Sequence, residues 1–410
     1  MTAPSSRLRV LIGAFGDPGH AFPAIALGRE LTARGHEVAV QTWRKWQDHV
    51  EREGMAFHAA PEYQVFPTRD RPLKPYEAVV RAVAETRPLV HDLAPEIVVS
   101  DILTLAPALA AELEGVPGVT LVPHSYPPPI DGLAPYGLGA MPPRHSLGRA
   151  VWRLLSVPMS GGLERGRDEL NETRRRVGLP PLSYTHNGIS RELCLVATFP
   201  QLEYPRPWPP FVRVTGPLLW EPPAEAAEPP PGDGPVVLVA PSTSQDREQR
   251  LLRTGLHALA RSKVRVLATH NRRPPPRPLS VPPNAAVVDW FSYSRTMPKA
   301  DVVVCHGGHG TIARALSSGT PVVTVPAAGD MAENGARVQW AGAGLNLPGR
   351  LLSAPSLRWC VEAVLEDDRF RRRAGELAAW HANNDGARAA AELVEDHAAA
   401  RATRARTATG

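Results

Sequence analysis

Cysteine and lysine are scarce in this chain: 410 residues carry only three of the first and four of the second. The cysteines (Cys194, Cys305 and Cys360) stand far apart in apolar or helical contexts with no paired spacing. That excludes a disulfide framework and a zinc site and fits reduced, buried thiols. No apolar run approaches the roughly 18 residues of a membrane span, so stable membrane insertion is not expected. No charged and then apolar segment opens the chain, so export is not expected and a cytoplasmic protein is. Because lysine is so rare, the net charge of +5 is carried almost wholly by arginine. These arginines are scattered among Glu and Asp along helical segments, which argues against a nucleic-acid partner. Part of the excess sits at Arg401, Arg404 and Arg406, in a tail (399–410) that lacks apolar periodicity and reads as disordered.

What is present is the composition of a globular protein, 43% apolar and 21% charged. The length exceeds one compact core and predicts two domains. Arg7 to Gly13 reads as a buried strand, and Phe15 to Gly19 as a turn. Ala24, Leu27, Gly28 and Leu31 then share one helical face within Ala21 to Arg34. Gly35 ends that helix, His36 reads as a turn residue, and Glu37 to Gln41 forms the next strand. The resulting βαβ unit implies a parallel sheet. The pattern recurs at Pro95 to Asp101, Leu105 to Leu113 and Val119 to Val122. Ser125 to Arg149 is rich in Pro and Gly and reads as a long loop. Leu193 to Ala197 and Val212 to Gly216 close this half. Glu221 to Pro235, EPPAEAAEPPPGDGP, is a semi-rigid interdomain linker. Beyond it the alternation restarts at Val236 to Ala240, Arg250 to Arg261, Val264 to Thr269 and Val287 to Trp290. Helical patterns at Phe370 to Trp380 and Ala387 to His397 end the chain.

The richest stretch is Cys305 to Asn334, CHGGHGTIARALSSGTPVVTVPAAGDMAEN. A β-rich run delivers His306 to a sheet edge. Gly307, Gly308 and Gly310 let backbone approach a ligand closely. Thr311 is placed to cap a helix from Ile312 to Ser318, whose N-terminus offers free N–H groups and partial positive charge to an anion. A further strand, Pro321 to Val325, carries the chain to Asp330, a hydrogen-bond acceptor for sugar hydroxyls. Gly-rich strand–helix turns recur on many α/β folds, and it is the combination with His306, Thr311, Asp330 and Asn334 that points to a sugar diphosphate.

These segments together resemble the inverting, nucleotide-sugar-dependent glycosyltransferases of the GT-B fold that decorate natural products in bacteria and plants. Gly19-His20-Ala21-Phe22-Pro23 resembles the family's GH-x-x-P signature, and the stretch after Cys305 its nucleotide-sugar signature. The resemblance implies an α/β protein of two tandem doubly wound, Rossmann-like domains facing a cleft. It divides the chain into an acceptor-binding domain (1–220), the linker (221–235), a donor-binding domain (236–398) whose last helices pack back on the first, and the tail. It makes His20 the general base and Asp101 the carboxylate that orients it, and the two form the catalytic pair. A neutral imidazole of ordinary pKa near 6.5 suits that role. The donor site comprises Ser242, Trp290 (stacking on the base), His306, Gly308, His309, Gly310, Thr311, Asp330, Met331 and Asn334. His124 and Tyr126 are placed at the acceptor, with Tyr63 to Tyr76 and Ser125 to Trp152 supplying aromatics for its pocket. No metal or other cofactor is implied, only a UDP- or dTDP-linked co-substrate. The acceptor is a small apolar hydroxylated molecule of polyketide, macrolide or flavonoid type, and the protein a monomer or homodimer.

Three positions depart from the family. Arg314 stands where a Glu often holds the ribose hydroxyls, Ser292 and Tyr293 where Pro-Gln often follows the stacking Trp, and Met331 where a Gln donates to the sugar. A buried hydroxyl left without a partner is costly, so Met331 points to a deoxyhexose donor rather than UDP-glucose. Three other functions fit these residues less well. A nicotinamide oxidoreductase is disfavoured because the first turn is not G-x-G-x-x-G and the second strand ends in Val40-Gln41 without a carboxylate. A sugar-nucleotide epimerase would need more carboxylates than Asp330 and Glu333. A non-catalytic sugar-nucleotide-binding helper would have no use for His20 and Asp101.

Overall fold

The computed structural model describes residues 7–61, 77–184, 188–242, 245–246 and 248–409. The aromatic stretch from Tyr63 to Tyr76 therefore lies outside the described residues. Apolar, β-branched runs form two wholly parallel sheets. The first holds β1 (Arg9–Gly13), β2 (Glu37–Thr42), β3 (Ala56–Ala59), β4 (Ile97–Asp101), β5 (Gly118–Val122), β6 (Cys194–Val196) and β7 (Val212–Val214), in the order β3-β2-β1-β4-β5-β6-β7. The second holds β8 (Val236–Ala240), β9 (Arg265–Thr269), β10 (Ala285–Val288), β11 (Val302–Cys305), β12 (Val322–Thr324) and β13 (Gly344–Asn346), in the order β10-β9-β8-β11-β12-β13. Strand order reverses between β1 and β4 in one sheet and between β8 and β11 in the other. Doubly wound sheets bind ligands outside the carboxyl ends of strands at such reversals, so topology alone marks two facing sites.

The helices are α1 (Pro18–Ala33), α2 (Gln47–Arg52), α3 (Glu77–Leu93), α4 (Leu105–Leu113), α5 (Ser146–Val177), α6 (Arg250–Leu259), α7 (Tyr293–Thr296), α8 (His309–Ser317), α9 (Met331–Trp340), α10 (Ala354–Glu366), α11 (Asp368–Asn383) and α12 (Gly386–Thr409). Three differ from expectation. The long loop ends at His145, and α5 follows as a helix of 32 residues that the sequence did not suggest. Gly148, Gly161, Gly162 and Gly166 lower its intrinsic propensity, and Leu147, Leu154 and Leu155 are exposed, which blurs the apolar period. Helix α8 starts at His309 with Gly308 as N-cap, so Thr311 lies inside the first turn and caps nothing. The tail read as disordered continues α12 to Thr409.

Packing ties the chain's end to its beginning. Ala387, Ala390, Ala391, Val394 and Ala398 of α12 share a core with Ala24, Leu27 and Leu31 of α1. Small side chains let the helices approach closely. Each large aliphatic group buried there contributes about 1.5–3 kcal/mol. His36 turns out to be part of this seam: its Nδ1 accepts from the Leu8 N–H (3.1 Å) and its Nε2 faces Glu395 at 2.6 Å. Glu395 also accepts from Arg34. The three cysteines are free and buried.

Candidate active site

The carboxyl ends of β1 and β4 bring together groups 81 residues apart. His20 stands on the first turn of α1, and Asp101 is the last residue of β4. His20 Nδ1 lies 2.7 Å from Asp101 Oδ1. A carboxylate only accepts, so the imidazole donates from Nδ1 and keeps a free Nε2 lone pair. The other oxygen, Asp101 Oδ2, accepts from the Phe15 N–H (3.2 Å) and the Thr104 hydroxyl (3.4 Å), which fixes the carboxylate. Burial pulls the His20 pKa down, but the charge and hydrogen bond of Asp101 more than offset it, and the net result is above 6.5.

The facing ends of β8 and β11 hold Ser242 and His306. Ser242 is buried, and its hydroxyl accepts from the Gln245 N–H at 2.9 Å. His306 follows β11, and its Nδ1 lies 3.4 Å from the Ala240 carbonyl. Gly307 has a φ of +85°, and a Cβ there would lie 2.8 Å from the Met331 carbonyl oxygen. A Cβ on Gly308 would meet His306 Nε2 at 2.4 Å. Gly307 is therefore required by its backbone, a Cβ on Gly308 would displace the His306 ring, and the first turn of α8 beside them carries N–H groups without intrahelical partners. Asn334 donates to the Gly307 carbonyl (3.0 Å) and to Asp330 Oδ2 (3.2 Å), fastening α9 to this turn. Burial lowers the His306 pKa, so the ring is neutral at pH 7. A bound diphosphate would favour the imidazolium by direct charge attraction. Nucleoside diphosphate binding should therefore take up a proton near pH 7.5. Calorimetry in buffers of different ionisation enthalpy measures this, and the uptake should vanish in His306→Asn.

The two ends meet across one cleft. The His124 ring lies 6.1 Å from that of His20. His309, at the start of α8, reaches the first half with Nε2 3.3 Å from the Ala197 carbonyl, and burial pulls its pKa to about 4. The Asp330 carboxylate acts electrostatically on His20, His124, His306 and His309, raising the pKa of each. Leu138 and Gly139, from the Pro- and Gly-rich loop, overhang α9: a Cβ on Gly139 would lie 2.7 Å from the Ala332 carbonyl oxygen. Beneath them a cavity of about 1070 Å³ opens beside His306, lined also by Gln245, Arg250 and Ala327 to Gly329. That is ample for a nucleotide sugar, since ligand pockets commonly run about 300–1,000 Å³.

Residues 253–399 match the family of the erythromycin biosynthesis protein CIII-like C-terminal domain. The 4'-demethylrebeccamycin synthase of Lentzea aerocolonigenes is 30% identical over 421 residues, covering 94% of this chain and 99% of that protein. The chain belongs to the glycosyltransferases of natural-product biosynthesis. Its fold is GT-B. The kitacinnamycin glycosyltransferase superposes with a TM-score of 0.78 at 21% identity, covering 96% of this chain and 99% of the other. The glycosyltransferase VinC, solved in complex with dTDP, superposes at 0.67 and 18% identity, covering 95% and 99%.

Within this glycosyltransferase the structure brings His20, Asp101, His124, His306, His309 and Asp330 together, with Gly308, Gly310 and Thr311 on the turn beside them and Met331 opening α9. Two expected residues are placed otherwise. Tyr126 is buried in the cluster of Ile102, Val122 and Val196, with the Arg206 guanidinium 4.8 Å from its ring, and does not face the cleft. Tyr136, from the same loop, stands beside His124 instead: its hydroxyl lies 3.2 Å from His124 Nδ1. The only sequence signal for it was the aromatic content of the loop. Trp290 does not line the cavity beside His306. Its ring is stacked with Tyr293 at 5.6 Å, and the Arg272 guanidinium lies 5.3 Å from it. Among the described residues no helix is long and apolar enough to cross a membrane.

Proposed function

We propose that the protein is a cytoplasmic, inverting glycosyltransferase that moves a sugar from a nucleoside diphosphate to a hydroxyl of a small apolar acceptor. The observation that carries this is the His20–Asp101 pair facing the His306 turn across one cleft. The acceptor hydroxyl attacks the anomeric carbon as its proton passes to His20 Nε2. The new C–O bond forms as the bond from that carbon to the diphosphate oxygen breaks, on the opposite face. Asp101 holds the base tautomer and stabilises the imidazolium. The leaving diphosphate is met by the first-turn N–H groups of α8 and by His306, and this reading assigns its charge to those groups rather than to a metal or other cofactor. Asp330 is placed to accept from sugar hydroxyls, and Asn334 positions it. Ser242 stands at the phosphate, and Trp290 at the base once Tyr293 or Arg272 gives way.

Met331 opens α9, where a donor side chain would reach the sugar, and its thioether cannot donate. A deoxyhexose linked to dTDP therefore fits the pocket better than UDP-glucose, and the dTDP complex of VinC is consistent with that base. A thermal-shift panel of nucleotides and sugar nucleotides ranks donors without knowledge of the acceptor. A dTDP-deoxyhexose should stabilise more than UDP-glucose at equal concentration. Tighter and productive use of UDP-glucose would refute the donor assignment while leaving glycosyl transfer intact.

A further inference from the structure

Helix α5 is packed along one half and bare along the other. Past its middle, Leu170 is buried and Arg174 donates to both oxygens of Glu112 at 2.7 Å. In its first turns the arrangement inverts. Leu147, Val151 and Leu154, at i, i+4 and i+7, share one face, and that face points outward. Leu147 and Leu154 are each 75% exposed, and Val151 and the adjacent Leu155 are each 47% exposed. Gly148, Trp152 and Ser156 form the row that turns inward. The apolar surface continues onto the loop before the helix, where Leu138 and Met141 are also exposed. Contact holds that loop against α5, since a Cβ on Gly148 would lie 2.7 Å from the Pro143 Cβ.

Large aliphatic groups exposed side by side mark an interaction surface. Charge decides what kind. Exposed Arg144, Arg149 and Arg153 flank the face, and from Gly132 to Leu163 the chain holds no acidic residue. Arg153 pairs with Asp131 at 2.9 Å, but both groups are exposed, so solvent weakens the pair and it opens readily. A convex helix with leucines outward and arginines at its flank matches a surface that is apolar beneath an anionic layer. We propose that the first half of α5, with the loop from Leu138, docks on the headgroup layer of an anionic bilayer. An interfacial helix lies in the plane of the membrane, so this needs no helix able to cross it. The arginine stems lie along the apolar boundary while their guanidinium heads meet lipid phosphates. Leu138 also lines the cavity beside His306, so docking sets one wall of the cleft at the membrane. The use of this surface rests on the apolar acceptor proposed above, which would pass from the lipid to His20 without crossing bulk water.

Flotation of the full chain with lipid vesicles tests this. Vesicles of equal parts phosphatidylglycerol and phosphatidylcholine should bind it about ten-fold or more better than phosphatidylcholine alone, and raised salt should weaken the binding. Leu147→Glu and Leu154→Glu should each weaken it about ten-fold or more, and Arg149→Gln about five-fold. Both leucines are mostly exposed, so their variants should keep the parent's Tm with and without dTDP, which separates lost docking from lost folding. No binding to the anionic vesicles, or binding that survives in both leucine variants, would overturn the proposal. Light scattering that shows a dimeric parent and a monomeric Leu154→Glu would also overturn it, because a second copy would then cover the face. Vesicle binding is read without sugar transfer, so its failure leaves glycosyl transfer standing, and failure of the donor panel leaves the docking surface standing.

Discussion

His20→Ala should lower kcat by about 10²–10⁴-fold while leaving nucleoside diphosphate affinity within about two-fold, because the general base acts only as the acceptor is deprotonated. The geometry behind this is specific: Nδ1 is committed to Asp101 at 2.7 Å, so the free lone pair is on Nε2. The pH dependence carries a sign. A base must be neutral to act, and the His20 pKa is above 6.5, so kcat/KM should rise with pH through a point above 6.5. In Asp101→Asn the attraction that offsets burial is lost while burial remains. The limb should then move to lower pH even as the maximal rate falls, because the tautomer is no longer enforced. Steady-state rates from pH 5 to 9 measure both effects. Turnover of His20→Ala within ten-fold of the parent would remove His20 from this role.

Arg337→Met should destabilise the protein by about 3–5 kcal/mol, the usual effect of breaking a buried ion pair from one side. Arg337, on α9, donates to Glu203 (2.9 Å), Glu333 (3.0 Å) and the Leu202 carbonyl (2.9 Å). Its side chain and those of both carboxylates are at most 5% exposed. Glu203 and Leu202 belong to the first half and Arg337 to the second, so this triad fastens α9, and with it Asp330 and Asn334, across the cleft. Removing the cation strands two buried carboxylates. Replacing all three groups, as Glu203→Gln, Glu333→Gln and Arg337→Met together, should recover most of the loss, because the charges cost as much to bury as they return. Urea unfolding measures both. A single-variant loss below about 1 kcal/mol would show that the triad does not join the halves.

Much of this was legible in the chain, for physical reasons. Runs such as Val302 to Cys305 are buried on both faces and read as parallel strands at once; Asp101 ends such a run, His306 directly follows one, and His20 opens the helix after the turn that follows β1. Local pattern could not show what depends on distant partners. The Glu203–Arg337–Glu333 triad spans 134 residues between Arg337 and Glu203 and leaves no periodic trace. Tyr136 lies in a loop whose path is set by contact with α9 rather than by its own sequence. Tyr126, in the same stretch and equally aromatic, went to the core instead. Helix α5 was hidden by its glycines. Thr311 looked like a cap because its residue type favours one, but Gly308 ends the extended backbone three residues earlier.

Proton NMR of the first-formed product distinguishes direct displacement at the anomeric carbon, with His20 as base, from transfer with retention. An α-linked donor should give a β-linked glycoside, with the large coupling of a diaxial anomeric proton in a gluco-type sugar. A product that keeps the α configuration would contradict the account.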